Sequence, residues 1–282
     1  MKQHLSHTPG PIGVFDSGYG GLTILDKIRE VLPEYDYIYL GDNARTPYGT
    51  RSFEVVYEFT RQAVTKLFEM GCHLVILACN TASAKALRSI QTNDLPQLDS
   101  SRRVLGVIRP TVERIGEMTR SRHIGVVATA GTIKSESYPL EIRKLFPDIT
   151  VTGEACPMWV PLVENNEATG DGADFFIRKN LSSLLGKDPQ IDAIILGCTH
   201  YPLLRSRIMA YFGEKVHIVN PAYETAMDLK KILEEQKIAN TSGEPAAYDF
   251  YVSDAAEKFK QFANSVLPYD VGTIRQINIE AY

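Results

Sequence analysis

The sequence predicts an α/β protein with two similar parallel-sheet domains, related by pseudo-symmetry, and a functional site in the cleft between them. Short apolar runs alternate with helical patterns along the chain, which is typical of parallel sheets with right-handed crossovers. A second observation is a repeat. The segment Leu74–Ala82 has Cys79 after its apolar run, and Ile194–Tyr201 has Cys198 in the same place.

A third observation is that another pair of segments repeats in the same order. Ile12-Gly-Val-Phe-Asp-Ser-Gly is echoed by Ile124-Gly-Val-Val-Ala-Thr-Ala-Gly, at an offset (124 − 12) of 112 residues, against an offset (198 − 79) of 119 for the cysteines. Such order and spacing indicate two related halves. Open α/β sheets bind ligands beyond the carboxyl ends of their strands. We therefore expect Cys79 and Cys198 to approach one bound molecule from opposite sides.

In the first half, apolar runs predict strands, and apolar residues at helical spacing predict helices that end at Pro33 and Gly71. The predicted strands are Ile12–Phe15, Tyr37–Leu40 and Leu74–Leu77. The predicted helices are Leu22–Leu32, Arg51–Met70 and Ala82–Gln91. Residues 41–50 are rich in turn formers and predict a loop. The polar stretch Asn93–Ser101, which contains Pro96, predicts a linker.

The second half and the tail follow the same rules. Predicted strands are Val104–Val107, Ile124–Val127, Thr150–Thr152, Ala193–Leu196, Val216–Val219 and Tyr248–Val252. Predicted helices begin at Pro110 and Pro202 and cover Ile133–Leu145, Pro157–Asn165, Asp171–Leu185, Ala222–Lys237 and Ala256–Leu267. Counting strands places residues 1–100 plus 216–282 in a first domain, on the Cys79 side. Residues 101–215 form a second domain, on the Cys198 side.

Composition excludes several classes of protein. The 282 residues are 44% hydrophobic, which suffices for a full core, and the net charge of −4 supplies no basic surface for nucleic acid. No apolar run approaches the ~18 residues of a membrane span, and the first ten residues lack the apolar core of a signal peptide. Four scattered cysteines without a Cys-x-x-Cys pair argue against a disulfide framework. We expect a cytoplasmic protein with free thiols.

The cysteines allow two interpretations. A free cysteine usually packs as a small hydrophobic residue, and this is the expectation for Cys72 and Cys156. Cys79 and Cys198 differ because each lies between a buried strand and a predicted helix start. Free N–H groups and the helix dipole there lower a thiol's pKa and favour the reactive thiolate. These two cysteines are therefore the candidate catalytic groups.

His200 and Asp16 are candidate partners of the thiols. His200 follows Cys198 by two residues, so on extended backbone both side chains would share one face; the alternative is a core-packed histidine. A zinc site from Cys79, Cys198 and His200 would lack closely spaced ligand pairs, so no metal is expected. Asp16 either meets a cation or caps the following helix. Its glycine-rich turn has Thr23 in place of a third glycine and lacks the P-loop lysine, so nucleotide binding is not favoured.

Other polar side chains at the strand ends suit a small zwitterion. Asn80, Thr81 and Thr199 supply donors beside helix starts, a natural cradle for a carboxylate. Thr129 and Thr132 flank a glycine after the predicted strand Ile124–Val127, which repeats the first strand. A thiol hydrolase uses one cysteine with a histidine and an orienting group, which leaves a second cysteine without a role. Two opposed thiols instead suit stereoinversion, in which one removes a proton and the other returns a proton to the opposite face.

Six motifs occur in order along the chain. They are Asp16-Ser-Gly-Tyr-Gly-Gly, Gly41-Asp-Asn-Ala-Arg-Thr-Pro-Tyr-Gly, Ala78-Cys-Asn-Thr-Ala, Gly131-Thr-Ile, Pro161-Leu-Val-Glu and Gly197-Cys-Thr-His-Tyr-Pro. Together they resemble the motifs of the glutamate racemases, cofactor-independent enzymes of the aspartate/glutamate racemase superfamily. The resemblance covers about Ile12–Leu267.

The resemblance implies roles for individual residues. Cys79 and Cys198 would be the acid/base thiols, assisted on their own sides by Asp16 and His200, with Glu164 a weaker candidate near the second thiol. The residues it places around glutamate are Asp16, Ser17, Tyr48, Gly49, Asn80, Thr81, Thr129, Thr132, Thr199 and His200. From the residues alone, Pro47-Tyr48-Gly49 is equally a plain turn.

Some positions depart from the usual pattern. Arg109-Pro110-Thr111 stands where the family often has Pro-Gly, and Asn220 stands where an aspartate is common. Neither adjoins the thiols. The tail Pro268–Tyr282 extends beyond the match.

The resemblance implies interconversion of L- and D-glutamate without pyridoxal phosphate, metal or nucleotide, as a supply of D-glutamate for peptidoglycan. It also allows a homodimer, whose surface one chain does not indicate. Two alternatives stay open at this stage. One is racemisation of aspartate on the same scaffold. The other is a non-catalytic amino-acid-binding regulator, which would need the carboxylate cradle but not both cysteines.

Overall fold

A computed structural model describes residues 10–235 and 246–280, and it contains two sheets in which every strand pair is parallel. The strands are β1 (Ile12–Asp16), β2 (Tyr37–Gly41), β3 (Leu74–Leu77), β4 (Arg103–Gly106), β5 (His123–Ala128), β6 (Thr150–Ala155), β7 (Ala193–Gly197), β8 (His217–Val219), β9 (Tyr248–Val252) and β10 (Ile274–Gln276). Three stretches lie outside the described ranges. They are residues 1–9, residues 236–245, which include the last two residues of the helix predicted to end at Lys237, and residues 281–282 at the end of the tail.

The two sheets repeat one arrangement. The first has the order β10-β9-β2-β1-β3-β4, and the second has the order β6-β5-β7-β8. The order β2-β1-β3-β4 therefore recurs as β6-β5-β7-β8. The echoed segments form β1 and β5, and each cysteine follows the equivalent strand, β3 or β7. The predicted class, two similar parallel-sheet α/β domains, is confirmed.

Helices cover the sheets. The α-helices are Leu22–Val31, Phe53–Glu69, Asn80–Lys85, Leu87–Ser89, Leu95–Leu98, Ile108–Met118, Ala130–Lys134, Ser137–Leu145, Trp159–Glu164, Asp171–Lys187, Arg205–Phe212, Pro221–Glu235 and Ala256–Val266. Short 3₁₀ helices form at Tyr48–Thr50, Tyr201–Leu204 and Gly213–Lys215, and a π-helical turn at Ile90–Asp94. No helix of the described ranges is long and apolar enough to cross a membrane.

The core follows the alternation of side chains along each strand. In β1, Val14 packs into a large apolar cluster that also contains Val127 and Leu196 of the second sheet, while Phe15 packs into a cluster on the opposite face. Alternation arises because successive side chains on a strand point to opposite faces. The shared cluster packs the two domains against each other, which brings the carboxyl ends of β3 and β7 to one cleft.

The sheet pairing corrects the predicted domain boundaries by one strand each. β4 pairs with β3 and so belongs to the first sheet, although the boundary at residue 101 placed it in the second domain. β8 pairs with β7 in the second sheet, although the boundary at residue 216 placed it in the first domain. An apolar run indicates a strand but not its neighbour, which long-range packing selects. In the tail, β9 pairs with β2 of the first sheet.

The predicted linker Asn93–Ser101 is wrong, because the chain remains helical as far as Leu98. Pro96 lies in the first turn of Leu95–Leu98, where its missing N–H removes no helical hydrogen bond. The helix predicted over Ile133–Leu145 is two helices, separated at Glu136, which has a φ of 55°.

Candidate active site

Cys79 lies at the junction of β3 and the helix Asn80–Lys85, as predicted. Its Sγ accepts a hydrogen bond from the Ala82 N–H at 3.4 Å and so caps the helix, and its thiol donates to Ser17 Oγ at 3.3 Å. Burial raises the pKa of Cys79 to about 12, and the nearby charge of Asp16 adds to that rise. The expectation that the helix start lowers this pKa is wrong, because desolvation of the thiolate outweighs the helix donors. Cys79 is a thiol at neutral pH.

Cys198 follows β7 and lies beside a histidine. Its Sγ is 3.9 Å from His200 Nδ1, and His200 Nε2 is 3.0 Å from Glu164 Oε1. Burial acts to lower the pKa of His200, but its hydrogen bonds to Cys198 and Glu164 prevail and raise that pKa to about 10. The three side chains therefore form a line from sulfur through a cationic imidazole to a carboxylate.

The local backbone around Cys198 differs from the sequence expectation. His200 has φ −79° and ψ −26°, so a turn rather than extended backbone brings its ring to the sulfur. The segment that follows, Tyr201–Leu204, is a 3₁₀ helix, and the α-helix starts only at Arg205. Cys198, unlike Cys79, does not cap an α-helix.

Asp16, at the end of β1, is fully buried between the two thiol sides. Its carboxylate accepts a hydrogen bond from the Gly18 N–H at 3.0 Å and from Thr199 Oγ1 at 3.5 Å. Burial raises the pKa of Asp16, and the charge of His200 partly offsets that rise. Gly21, not Asp16, occupies the cap position of the helix Leu22–Val31. Asp16 therefore joins the first domain to the Cys198 turn of the second.

A hydroxyl cluster crosses the cleft on the Cys79 side. Thr81 Oγ1 is 3.0 Å from Thr129 Oγ1 and 3.3 Å from Thr132 Oγ1, and the two second-domain hydroxyls are 3.2 Å apart. Thr129 also accepts from the Thr132 N–H and caps the helix Ala130–Lys134. The structure therefore brings Thr81 to two threonines that lie 48 and 51 residues further along the chain.

Asn80 offers a hydrogen-bond donor that no group within the described ranges uses. The residue is 3% exposed, and its Oδ1 accepts a hydrogen bond from Tyr138 OH at 2.7 Å. Its Nδ2 is buried without a hydrogen-bond partner among the described residues. A buried donor left unpaired costs about 1–3 kcal/mol. Such a group next to Cys79 is suited to binding an acceptor on a ligand.

The turn at Tyr48 and Gly49 closes another side of the cleft. Tyr48 is buried, and its hydroxyl donates to Asp42, which also accepts from Arg45 Nε at 2.7 Å and Ser253 Oγ at 2.9 Å. A Cβ at Gly49 would lie 2.8 Å from the Cβ of Thr129, so the turn needs glycine to approach the second domain. The tyrosine hydroxyl thus holds the turn in place.

Gly20 permits the tightest approach between the Asp16 loop and the Cys198 turn. A Cβ at this position would lie 2.3 Å from Thr199 Oγ1 and 2.5 Å from His200 Nδ1. Sequence reasoning singled out neither Gly20 nor Asp42, although both belong to motifs it quoted. The available signals were the glycine pair after a strand and the aspartate that directly follows β2. Among the described residues, no group of three or more His, Cys, Asp or Glu side chains is arranged to hold a metal ion.

Two related parallel-sheet domains each bring a cysteine to one cleft. The chain belongs to the Asp/Glu/hydantoin racemase family, whose family model matches residues 12–228. It is thus a racemase, a class of isomerase.

Within that family, the similar proteins are glutamate racemases. The enzyme from Geobacter metallireducens is 39% identical over 271 residues, which cover 96% of this chain and 97% of the relative. A crystal structure of the RacE1 isoform from Bacillus anthracis is 35% identical with a TM-score of 0.88, covering 96% of this chain and 98% of that one. The Francisella tularensis enzyme, solved in complex with D-glutamate, is 33% identical with a TM-score of 0.89, covering 98% and 100%.

Proposed function

We propose that this racemase interconverts L- and D-glutamate by proton transfer between Cys79 and Cys198, without pyridoxal phosphate, metal or nucleotide. The D-glutamate would supply peptidoglycan synthesis in the cytoplasm. The observation that supports this most strongly is the position of the cysteines, which follow equivalent strands of two related halves and meet at one cleft. Two bases on opposite faces of a carbon are what inversion of its configuration requires.

The surroundings of the two thiols differ. The cationic His200 has its Nδ1 3.9 Å from Cys198 Sγ, while burial keeps Cys79 as a thiol. The Cys198 thiolate would take the α-proton of L-glutamate and become a thiol, and the Cys79 thiol would give its proton to the opposite face of the carbanion. The reverse sequence would convert D-glutamate to L-glutamate.

The polar groups of the cleft suit the charges of an amino acid. The Nδ2 group of Asn80 and the hydroxyls of Thr81, Thr129 and Thr132 supply donors for carboxylate oxygens. The buried carboxylate of Asp16 would meet the ammonium group. Charge-assisted hydrogen bonds of this kind are roughly twice as strong as neutral ones.

Glutamate is favoured over aspartate by the similar proteins. The glutamate racemases named above cover nearly the whole chain at 33–39% identity. An aspartate racemase from Picrophilus torridus shares 16% identity at a TM-score of 0.54, which supports only a common fold. A binding protein without turnover is disfavoured because the carboxylate cradle alone would not need a thiol on each side.

The purified protein should racemise glutamate from either enantiomer without an added cofactor, with aspartate turned over far more slowly. Chiral chromatography of both amino acids after incubation measures this directly. Activity that a chelator removes and a metal restores, or equal turnover of aspartate, would contradict the proposal.

The Asn80→Asp variant should bind glutamate more weakly. Aspartate keeps the oxygen that accepts from Tyr138, but it puts a second acceptor where the unpaired donor was. Hydrogen bonds to charged groups contribute about 1.5–3 kcal/mol, so KM should rise at least about tenfold. Asn93→Ala, at an exposed asparagine of the same domain, is the control and should leave KM unchanged. An unaltered KM in Asn80→Asp would exclude this contact.

The pH profile of kcat/KM should be bell-shaped, because the reaction needs one thiol and one thiolate. The alkaline side should fall from near pH 10, where His200 loses its proton, with Cys79 ionising near pH 12.

The raised pKa of His200 also stabilises the fold fully below about pH 6.5, and this contribution is lost as pH rises through about 10. Rates and Tm measured from pH 6 to 11 check both expectations; a rate that climbs steadily with pH contradicts the first.

A further inference from the structure

Thr23 makes a contact between the two domains that the proposed proton transfers do not use. It is the second residue of the helix Leu22–Val31, and it stands where a dinucleotide-binding loop would have its third glycine. Its side-chain oxygen lies 3.0 Å from the carbonyl oxygen of Thr199, which is 176 residues further along the chain in the second domain. The same hydroxyl lies 3.0 Å from the Gly20 carbonyl of its own turn. One hydroxyl proton therefore has two acceptors within reach.

The Thr199 carbonyl needs a donor from outside its own turn because of Pro202. The carbonyl before it, of Cys198, accepts a hydrogen bond from the Tyr201 N–H three residues ahead at 3.1 Å, and the carbonyl after it is paired in the same way. The matching donor for Thr199 would be the N–H of residue 202, which proline lacks. Among the described residues, the Thr23 hydroxyl is the group that donates to this carbonyl.

The Gly20 carbonyl does not compete equally for the hydroxyl proton. It already accepts the backbone N–H of Thr23 at 3.0 Å, whereas the Thr199 carbonyl has no donor in its own turn within the described ranges. Thr199 is 5% exposed, and a buried carbonyl without a hydrogen bond is costly. The proton is therefore directed toward Thr199. The resulting bond joins the first turn of a first-domain helix to the residue that follows Cys198.

We infer that Thr23 is a positioning residue that fixes the Cys198 turn against the first domain. The inference rests on the proposed racemisation of glutamate, since it concerns the position of Cys198 relative to a substrate in the cleft. Thr199 directly follows the thiol, so a hydrogen bond at its carbonyl restrains the backbone beside Cys198. The other first-domain contact of this residue, from Thr199 Oγ1 to Asp16 Oδ1, is 3.5 Å long and therefore weaker than the Thr23 bond.

The test replaces Thr23 by valine, which keeps the branched shape and removes the hydroxyl. The Cys198 turn should shift, and a displacement of about 1 Å can cost about 10²-fold in rate, so kcat/KM should fall by about tenfold or more. Thr23→Ser keeps the hydroxyl and should recover most of the activity. Thr60→Val is the matched control, because its hydroxyl donates to the Val56 carbonyl at 2.7 Å within one helix of the first domain. It should leave kcat/KM unchanged.

Isotope effects on kcat/KM separate positioning of Cys198 from a general loss of structure. With α-deuterated L-glutamate, Cys198 would break the C–D bond, so a displaced Cys198 makes that step more rate-limiting and raises the isotope effect in Thr23→Val. With α-deuterated D-glutamate, Cys79 would break the bond and the transfer at Cys198 would come second, so the isotope effect should fall towards one. Wild-type kinetics in Thr23→Val, or a slower enzyme whose two isotope effects are unchanged or move together, would overturn the inference.

Pro202→Ala supplies a measurement that does not depend on activity. Alanine restores an N–H three residues after Thr199, so the carbonyl gains a local donor and depends less on Thr23. The loss of Tm caused by Thr23→Val should therefore be smaller in the Pro202→Ala background than in the wild type. Equal losses in both backgrounds would overturn the inference and leave the proposed function intact. A protein that shows the smaller loss but does not racemise glutamate would contradict the proposed function and retain the hydrogen bond that fixes the turn.

Discussion

Replacing either Cys79 or Cys198 by serine should lower racemisation of glutamate by several orders of magnitude. A hydroxyl is far less acidic than a thiol, so the variant lacks an adequate acid or base on one face of the substrate. A single general base contributes about 10²–10⁴-fold, and inversion needs both transfers. Racemisation is measured by chiral chromatography or by optical rotation. Cys72→Ala removes a buried thiol of the first domain outside the site and should retain activity if the protein folds.

The same variants assign the two faces. By resemblance to the family, Cys79 should deprotonate D-glutamate and Cys198 should deprotonate L-glutamate. In deuterated water, Cys79→Ser should therefore exchange the α-proton of L-glutamate faster than that of D-glutamate, and Cys198→Ser should do the opposite. Equal exchange of both enantiomers by either variant would mean that the cysteines do not stand on opposite faces.

Gly20→Ala should lower kcat/KM by about a hundredfold, although the residue carries no chemical group. Its new methyl would overlap Thr199 and His200, so the Asp16 loop or the Cys198 turn must shift. A displacement of about 1 Å in a catalytic site can cost about 10²-fold in rate. Steady-state kinetics on both enantiomers, together with Tm, measure the effect.

Gly186→Ala supplies the matched control for this substitution. It adds the same methyl in the helix Asp171–Lys187, where no atom lies within 4 Å of the new Cβ. Activity should be unchanged there, and the helix should gain up to about 1 kcal/mol because alanine favours helix over glycine. Full activity in Gly20→Ala would show that the loop accommodates the methyl without disturbing His200.

The architecture was predictable because it depends on patterns that repeat along the chain. Alternating strands and helices indicate a parallel sheet, and the echoed segments indicate two halves before any contact is known. The positions of Cys79 and Cys198 follow from the same rule, since a residue just beyond a buried strand faces the binding edge of its sheet.

Contacts between segments that lie far apart in the sequence were harder to predict. The sequence assigned β4 and β8 each to the other sheet, because an apolar run of four residues pairs equally well with several strands. Asp42, which holds the Tyr48 hydroxyl, was missed for a related reason: its partner Ser253 lies 211 residues away.

The sequence by itself determined the fold class, the repeat and the two thiols, because local periodicity and strand ends encode them. Only the tertiary structure decided how those thiols differ. Burial keeps Cys79 protonated, whereas Cys198 contacts His200, which in turn contacts Glu164. It also left Nδ2 of Asn80 without a hydrogen-bond partner among the residues that the structure describes. These properties depend on desolvation and on contacts between distant segments, which arise only when the two domains pack together.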